Sequence, residues 1–264
     1  MQISLFQMQP ISADPELNLQ KIDRASRVAA DMGMNLLVAP ELAVTGYALG
    51  AGFAAVAERR DGASIDRLQE ICEKQGLAIA AGFAEAADGV IYNSAVVVRP
   101  NDGPVFYRKC HLYGPMEKEV FAPGNEAPAV FDIGGLKAGM LICYDVEFPE
   151  MVRGLALQGA DLVIVPTALP AGKSARNVAQ LVVPSRAIEN QIFIAYSDLC
   201  GSEGSLTYEG RSVIVAPDGE GLARAGHDET LLFANIDPSA YEASRKENPY
   251  LADRRPELYR ALVR

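Results

Sequence analysis

Two eight-residue segments of this 264-residue chain share one pattern, and that pattern restricts the fold. Each has a glycine, two spacer residues, an aliphatic run and a proline; the segments are Gly33–Pro40 and Gly159–Pro166. Glycine commonly ends a helix, a continuous apolar run is typical of a strand buried on both faces, and proline stops the strand. Such strands occur in parallel sheets covered by helices, so the sequence predicts an α/β protein. A true internal repeat and a chance likeness both remain open.

The segments around these two runs follow the same α/β plan. Apolar residues recur at three- and four-residue steps from Leu19 to Ala29, which predicts a helix, and a second predicted helix, Ser64–Lys74, is closed by Gly76. Strands are predicted at Ile3–Met8, Leu36–Ala39, Leu77–Ala81, Tyr92–Val98, Val105–Tyr107, Gly139–Ile142, Asp161–Val165, Gln191–Tyr196, Arg211–Val215 and Leu231–Ile236. If the two halves are related, their sheets pack together with helices outside, in a four-layer α-β-β-α sandwich. We expect one domain over residues 1–264, with residues 238–264 as a tail.

Composition and charge exclude several classes of protein. Hydrophobic residues make up 49% of the chain, enough for a large core, and the net charge of −10 disfavours nucleic acid as a partner. No leader and no apolar run of about 20 residues is present, so we expect no membrane association. The four cysteines form no CxxC pair, which favours free thiols and a cytoplasmic location. Neither zinc-ligand spacing nor a glycine-rich phosphate loop is found, and we predict no metal and no cofactor.

Three predicted strands end or are interrupted at a reactive side chain: Glu41, Lys109 and Cys143. Ligands gather at the carboxyl ends of the strands in such sheets, so the three groups are expected to meet. A thiol, a carboxylate that takes its proton and a cation that stabilises a negative oxygen are what acyl transfer through a thioester requires. Cys143 also stands at a predicted strand-to-helix turn, where neighbouring backbone N–H groups are free to bind an oxyanion.

The motifs around these residues resemble the nitrilase superfamily of carbon–nitrogen hydrolases. They are Pro40-Glu-Leu-Ala-Val-Thr-Gly-Tyr47, Tyr107-Arg-Lys-Cys-His-Leu-Tyr-Gly114 and Cys143-Tyr-Asp-Val-Glu-Phe-Pro-Glu150, in the family's order. The likeness extends through Gly159–Thr167 and Pro184–Asn190, over nearly the whole chain. It implies an α-β-β-α sandwich that pairs into a homodimer, and a catalytic triad of Cys143, Glu41 and Lys109.

The resemblance implies roles for further residues. Glu117 matches the family's second glutamate and would lie beside Lys109 and the substrate amide. Two carboxylates beside one ammonium would keep Lys109 protonated, so that it donates hydrogen bonds to the oxyanion. Tyr47 and Tyr144 are predicted to line the substrate pocket, with core packing as the alternative, and the Tyr144 N–H is the second predicted oxyanion donor. Thr167 is predicted to contact substrate, or else to satisfy a turn.

The predicted function is hydrolysis of a small-molecule amide to a carboxylic acid and ammonia through a thioester on Cys143. Nitrilases that resemble this chain typically carry Trp-Glu after the cysteine, whereas Tyr144 and Asp145 follow here, which favours amides over nitriles. N-carbamoyl hydrolases, ω-amide hydrolases and nitrilases share the triad and remain alternatives. A papain-like pair of Cys143 with His111, otherwise expected to be structural, is a second enzyme hypothesis. A non-hydrolytic thiol or binding protein on the same scaffold is a third.

Glu147 departs from many proteins that resemble this one. They carry a basic residue four positions after the nucleophile, where it meets an anionic substrate group. An acid at this position favours neutral aliphatic amides or positively charged amino amides, because like charges in a partly desolvated pocket repel. The alternative is that Glu147 pairs with Arg153, Lys173 or Arg176 and never meets substrate.

The C-terminal segment Asn248–Tyr259 predicts self-association. It combines tyrosines and leucines with paired arginines. That mixture is typical of subunit interfaces, and tails of the family that the chain resembles reach across to the partner subunit. We therefore expect at least a homodimer.

Overall fold

The computed structural model describes residues 1–263, and two six-stranded sheets form its centre. The strands are β1 (Gln2–Gln7), β2 (Leu36–Val38), β3 (Ala78–Ala87), β4 (Val90–Arg99), β5 (Asp102–Arg108), β6 (Val130–Ile133), β7 (Leu136–Met140), β8 (Leu162–Thr167), β9 (Phe193–Asp198), β10 (Ser202–Glu203), β11 (Leu206–Thr207), β12 (Val213–Val215), β13 (Gly221–Arg224) and β14 (Thr230–Asn235). The α-helices are α1 (Pro15–Asp31), α2 (Phe53–Val56), α3 (Ala63–Gln75), α4 (Gly114–Val120), α5 (Pro149–Leu157), α6 (Lys173–Asn177), α7 (Val183–Asn190) and α8 (Glu242–Glu247). Short 3-10 turns occur at Gly50–Gly52, Cys143–Glu147, Pro238–Tyr241, Pro256–Leu258 and Arg260–Val263, and a π-helical turn, Val178–Val182, joins α6 to α7.

Helices α1 and α3 form where the sequence predicts them. The Asp14 carboxylate caps α1 by accepting the Leu17 N–H at 3.0 Å, and Pro15 takes the first position, where no N–H is needed. Leu19 and Ile22 belong to the buried stripe of α1. Helix α3 ends at Gly76, whose φ of 67° is left-handed and suits glycine.

The two sheets have the same succession of parallel and antiparallel strand pairs. The first is β14-β1-β2-β3-β4-β5 and the second, in the matching sense, is β6-β7-β8-β9-β12-β13. Each has an antiparallel edge strand, three parallel strands and two further antiparallel strands. Strands β2 and β8, which lie in the two similar eight-residue segments, hold equivalent positions. This shared topology supports an internal repeat more directly than the sequence likeness does.

The inner faces of the sheets pack against each other, and helices cover the outer faces. Leu5 and Val38 of the first sheet share one buried cluster with Met140 and Ile164 of the second, and α5 and α7 add their apolar residues to it. On the other face of the first sheet, alternate strand residues such as Leu37 pack in a second cluster with α1 and α3. This is the predicted four-layer α-β-β-α sandwich, because a strand's side chains alternate between its two faces.

Several elements differ from the predicted boundaries; β6 and β13, for example, lie outside the predicted strands. Strand β3 runs on past the predicted Ala81 to Ala87 and forms a long antiparallel hairpin with β4. Apart from Phe83, the residues beyond Ala81 are small or polar, so their composition concealed the strand. The predicted tail contains α8 and several 3-10 turns; Leu251 packs on the core, whereas Leu258 is 64% exposed. Within residues 1–263, no helix combines the length and the apolar character needed to cross a bilayer.

Candidate active site

The predicted triad residues and Glu117 converge in the buried region around the Lys109 ammonium. The Lys109 Nζ lies 2.7 Å from Glu41 Oε1 and 2.7 Å from Glu117 Oε1. Glu41, Lys109 and Glu117 are 0% exposed and Cys143 is 5% exposed. Glu41 follows β2, Lys109 follows β5, Glu117 lies in α4, and Cys143 follows β7 in the other sheet. The fold thus places the two carboxylates against one cation.

Cys143 occupies a strained turn between a strand and a helix. It opens the 3-10 turn that precedes α5, and its φ of 45° is left-handed, which is uncommon for a residue with a side chain. The first N–H groups of a helical turn have no acceptor inside the turn, so the N–H of Tyr144 is available to a ligand. The predicted strand-to-helix turn is therefore present.

Asn93 and Gly82, which the sequence analysis missed, support Glu41. Asn93 Nδ2 donates to Glu41 Oε1 at 2.7 Å, while Glu41 Oε2 has no hydrogen-bond partner among the described residues. A Cβ at Gly82 would lie 2.2 Å from the Leu42 nitrogen, so only glycine lets β3 approach the Glu41 turn this closely. A glycine inside a strand and a polar residue in β4 were the available signals, since both are unusual in a buried strand.

The charges of the cluster set the protonation states of its members. The pKa of Glu41 is raised to about 7. Burial is the main cause, Lys109 opposes the rise and Glu117 adds to it. Burial lowers the pKa of Lys109, but Glu41, Cys143 and Glu117 outweigh burial and hold it above its usual value. Burial and Glu41 raise the pKa of the Cys143 thiol well above normal, against the opposing charge of Lys109. At neutral pH the site therefore holds a lysine cation, a thiol and a carboxyl near its midpoint.

Tyr47 orients Glu117. Its hydroxyl donates to Glu117 Oε1 at 2.6 Å, and the Tyr113 N–H donates to Glu117 Oε2 at 2.8 Å. The Tyr47 N–H in turn donates to the buried carboxylate of Glu203 at 3.0 Å. Burial raises the pKa of Tyr47, so the phenol stays a neutral donor. Tyr47 is 2% exposed and directed at Glu117; contact of its ring with substrate stays a prediction.

Tyr144 packs against neighbouring aromatic rings, the alternative to lining the pocket, whereas Thr167 bonds within its own strand, β8. The Tyr144 ring lies edge-on to Tyr113 and Phe148, with centroids 5.2 Å and 5.0 Å away. The Thr167 hydroxyl donates to the Val165 carbonyl at 3.2 Å. Their contact with substrate stays a prediction.

Glu147 lies near the site without an ion-pair partner among the described residues. Burial raises the pKa of its carboxyl, and the charges of Arg186 and Lys109 lower it. The Arg186 guanidinium binds the Glu147 backbone carbonyl at 2.7 Å rather than its carboxylate. Arg176, one of the suggested partners, lies 3.9 Å from Glu209 instead. Lys109 is one of the charges that act on the Glu147 carboxyl, whose contact with substrate stays a prediction.

His111 is fixed by Asp145 and Phe148, and a papain-like pairing with Cys143 stays a hypothesis. Its Nδ1 lies 2.8 Å from Asp145 Oδ1, and its ring stacks on Phe148 with centroids 3.8 Å apart. Over residues 1–263, no group of three or more histidine, cysteine, aspartate or glutamate side chains could hold a metal ion.

Sequence comparison finds relatives among carbon–nitrogen hydrolases. The carbon-nitrogen hydrolase family model matches residues 2–246. An (R)-stereoselective amidase from a Pseudomonas species is 36% identical over 258 residues, which cover 97% of this chain and 92% of the relative. A nitrilase from Pyrococcus abyssi is 35% identical over 263 residues, covering 97% and 98%.

The fold is that of a solved amidase. The NitN amidase from Nesterenkonia sp. AN1 superposes with a TM-score of 0.90 at 38% identity, over 99% of both chains. One variant of the Nesterenkonia amidase carries acrylamide at its active-site cysteine through Michael addition, and another is in complex with butyramide. Because the family match spans nearly the whole chain and the relatives share its fold, the chain belongs to the carbon–nitrogen hydrolase family and is a C–N hydrolase.

Proposed function

We propose that this enzyme hydrolyses small-molecule amides to a carboxylic acid and ammonia through a thioester on Cys143. The observation that carries the proposal is the Lys109 ammonium, held 2.7 Å from each of two buried carboxylates in the cluster that also contains Cys143. A thiol alone would suit many reactions. A fixed cation and a base beside it suit attack on a carbonyl, where negative charge develops on oxygen.

In the acylation half-reaction, Glu41 takes the proton of the Cys143 thiol while the sulfur attacks the amide carbonyl carbon. The carbonyl oxygen becomes an oxyanion, which the Lys109 ammonium and the Tyr144 N–H bind. Glu41 then passes its proton to the amide nitrogen, the C–N bond breaks, and ammonia leaves. The acyl group remains on Cys143 as a thioester.

In the deacylation half-reaction, Glu41 takes a proton from a water molecule, whose oxygen attacks the thioester carbonyl. The same two donors bind the second oxyanion. The C–S bond breaks, the sulfur regains the proton from Glu41, and the carboxylic acid leaves. Glu41 suits both steps because its pKa of about 7 balances proton uptake against proton release.

Glu117 fixes the charge of Lys109 in this scheme. With Glu41 alone, protonation of Glu41 during the reaction would leave Lys109 buried beside a neutral acid. Glu117 keeps one carboxylate at 2.7 Å, and its bonds from Tyr47 and Tyr113 hold it in place. Lys109 therefore stays an oxyanion donor throughout the cycle.

The substrate class we propose is neutral aliphatic amides or amino amides with a positive charge. A Glu147 carboxyl within reach of the site disfavours N-carbamoyl amino acids and ω-amides of dicarboxylic acids, because both carry a carboxylate. A variant of the similar Nesterenkonia amidase is in complex with butyramide, a small aliphatic amide, and this supports the proposed substrate class.

Ammonia release from a panel of primary amides, N-carbamoyl amino acids and short nitriles tests the function. We expect release from amides, and a mass increase equal to the acyl group when the enzyme is trapped with substrate. Cys143→Ala should abolish both. Cys72→Ala, a matched change of a buried cysteine in α3, should keep activity. Turnover by Cys143→Ala would refute the mechanism, and nitrile-only activity would refute the substrate class.

We also propose a homodimer in the cytoplasm. Leu157 and Tyr259, which are 51% and 37% exposed, line one surface groove between α5 and the C-terminal segment. Apolar groups gathered in this way suit a partner surface. The four cysteines are free thiols, as a reducing compartment requires.

A further inference from the structure

A single buried carboxylate accepts four hydrogen bonds beside the site. Asp145 Oδ2 accepts the Tyr107 hydroxyl at 2.9 Å and the Ile142 N–H at 3.3 Å. Asp145 Oδ1 accepts the His111 N–H at 2.9 Å and lies 2.8 Å from His111 Nδ1. Asp145 is 0% exposed and forms no ion pair with lysine or arginine among the described residues. A carboxylate buried in this way depends on these donors.

The donors lie on both sides of the predicted catalytic pair. Tyr107 and His111 stand two residues before and two residues after Lys109, and Ile142 immediately precedes Cys143. Asp145 therefore ties the end of β5, in the first sheet, to the turn after β7, in the second. Its partners Tyr107 and His111 are 38 and 34 residues away in the chain, so only the tertiary fold creates this link.

The turn that Asp145 holds is the strained one. Cys143 has a φ of 45°, and a non-glycine residue keeps such a conformation only when its surroundings impose it. The Ile142 N–H is bound on one side of Cys143. On the other side Phe148, which precedes α5, stacks on the His111 ring at 3.8 Å. The Asp145–His111 pair thus holds the turn at both of its ends.

We propose that Asp145 is a positioning residue that sets the placement of the Cys143 thiol relative to the Lys109 ammonium. The proposal rests on the function proposed above. An oxyanion forms on the carbon that sulfur attacks, so its donor must lie at a fixed distance from the sulfur. If the end of β5, which carries Lys109, moved by about 1 Å relative to the Cys143 turn, the reaction rate is expected to fall about 100-fold.

The first test is Asp145→Asn, which keeps the shape but points an NH₂ group at groups that are themselves donors. We expect kcat for a neutral amide to fall about 100-fold, with KM changed less than about 3-fold, because the interaction lost is made in the transition state. The rate of Cys143 modification by methyl methanethiosulfonate should change less than about 3-fold, since that reaction forms no oxyanion. A kcat within about 3-fold of wild type would overturn the proposal, as would equal losses in kcat and in modification rate.

The second test uses a milder change and decides the matter if Asp145→Asn does not fold. Tyr107→Phe removes one of the four bonds at nearly constant volume, and we expect kcat to fall about 5- to 10-fold with KM unchanged. Tyr241→Phe is the control, because its ring packs edge-on to Phe193 at 5.3 Å, away from this cluster. Equal kcat values for the two variants would overturn the proposal. An inactive Cys143→Ala beside a fully active Asp145→Asn would refute this inference alone, whereas an active Cys143→Ala would refute the proposed function.

Discussion

At the scale of single residues, the site depends on a lysine that is buried without losing its charge. Removing an ammonium from water is costly, and Lys109 at 0% exposure keeps its proton because Glu41 and Glu117 each lie 2.7 Å away. The pKa of Glu41 is raised in the same cluster, because burial and a second carboxylate oppose its ionisation more than Lys109 favours it. One arrangement therefore yields both a permanent cation and a base that titrates near neutral pH.

The first prediction at this scale is a pH dependence. Glu41 must be ionised to take the thiol proton, and its pKa is about 7, so kcat/KM should rise with pH until about pH 7 and then level. Glu147→Gln should keep this ascending limb, which assigns the limb to Glu41, whereas Glu41→Gln should remove turnover. A kcat/KM that is constant between about pH 5.5 and 8 would contradict the role of Glu41 as base.

The second prediction concerns substrate charge. Glu147→Gln removes a negative charge within reach of the site, so kcat/KM for a carboxylate-bearing amide should rise at least about 10-fold relative to a neutral amide. In the same variant, kcat/KM for a positively charged amino amide should fall relative to a neutral amide. Glu150→Gln, one turn further on at the more exposed start of α5, is the matched control and should leave the ratios unchanged. Unchanged ratios in Glu147→Gln would show that Glu147 never meets substrate.

At the scale of elements, the helices follow their sequence signals and the strands do so less closely. Caps and spaced apolar residues in α1 and α3 act within a few residues, so they can be recognised in the sequence. The second half of β3 gains its stability from β4, a partner strand, and from packing around Gly82. Small residues such as those of β3 adopt a strand when a partner is present, and their own propensity does not reveal it.

Gly82 supplies a prediction at this scale. Gly82→Ala would place a Cβ 2.2 Å from the Leu42 nitrogen, so the Glu41 turn must move, and kcat should fall about 100-fold. Gly103→Ala in β5 is the control, since a Cβ there meets nothing within 4 Å, and it should be neutral or slightly stabilising. The two variants are compared by steady-state kinetics and thermal unfolding. A Gly82→Ala enzyme with kcat within about 3-fold of wild type would show that the Glu41 turn tolerates displacement.

At the scale of the whole molecule, two sheets of one topology combine to form a site that neither contains alone. Glu41 and Lys109 extend from the first sheet, Cys143 extends from the second, and the C-terminal strand β14 returns to the edge of the first sheet. Strand β14 comes from the half of the chain that builds the second sheet, so the two halves are interlocked. One domain over the chain stays a prediction, and this interlocking of the two halves supports it.

The prediction at this scale is the oligomeric state. The 28.3 kDa chain should sediment as a dimer at about 10 μM, because Leu157 and Tyr259 are exposed together in one groove. Leu157→Arg should shift it toward monomer. Val90→Arg is the control: Val90 is 42% exposed at the start of β4, and this change should leave the dimer intact. A fully active wild-type monomer at that concentration would contradict the prediction.

The sequence predicted the reacting groups, because their chemistry depends on side-chain type: Glu41, Lys109 and Cys143 each stand close to the end of an apolar run, and Glu117 was predicted from the family resemblance. It also determined the α/β class, since strand runs and amphipathic helices are local patterns. The distant residues that support those groups became visible only in the folded protein. Asn93 and Gly82 reach Glu41 from two strands of a hairpin, and Asp145 joins β5 to the Cys143 turn. Such contacts depend on strand pairing and sheet packing, which bring together residues dozens of positions apart and leave no local pattern in the chain.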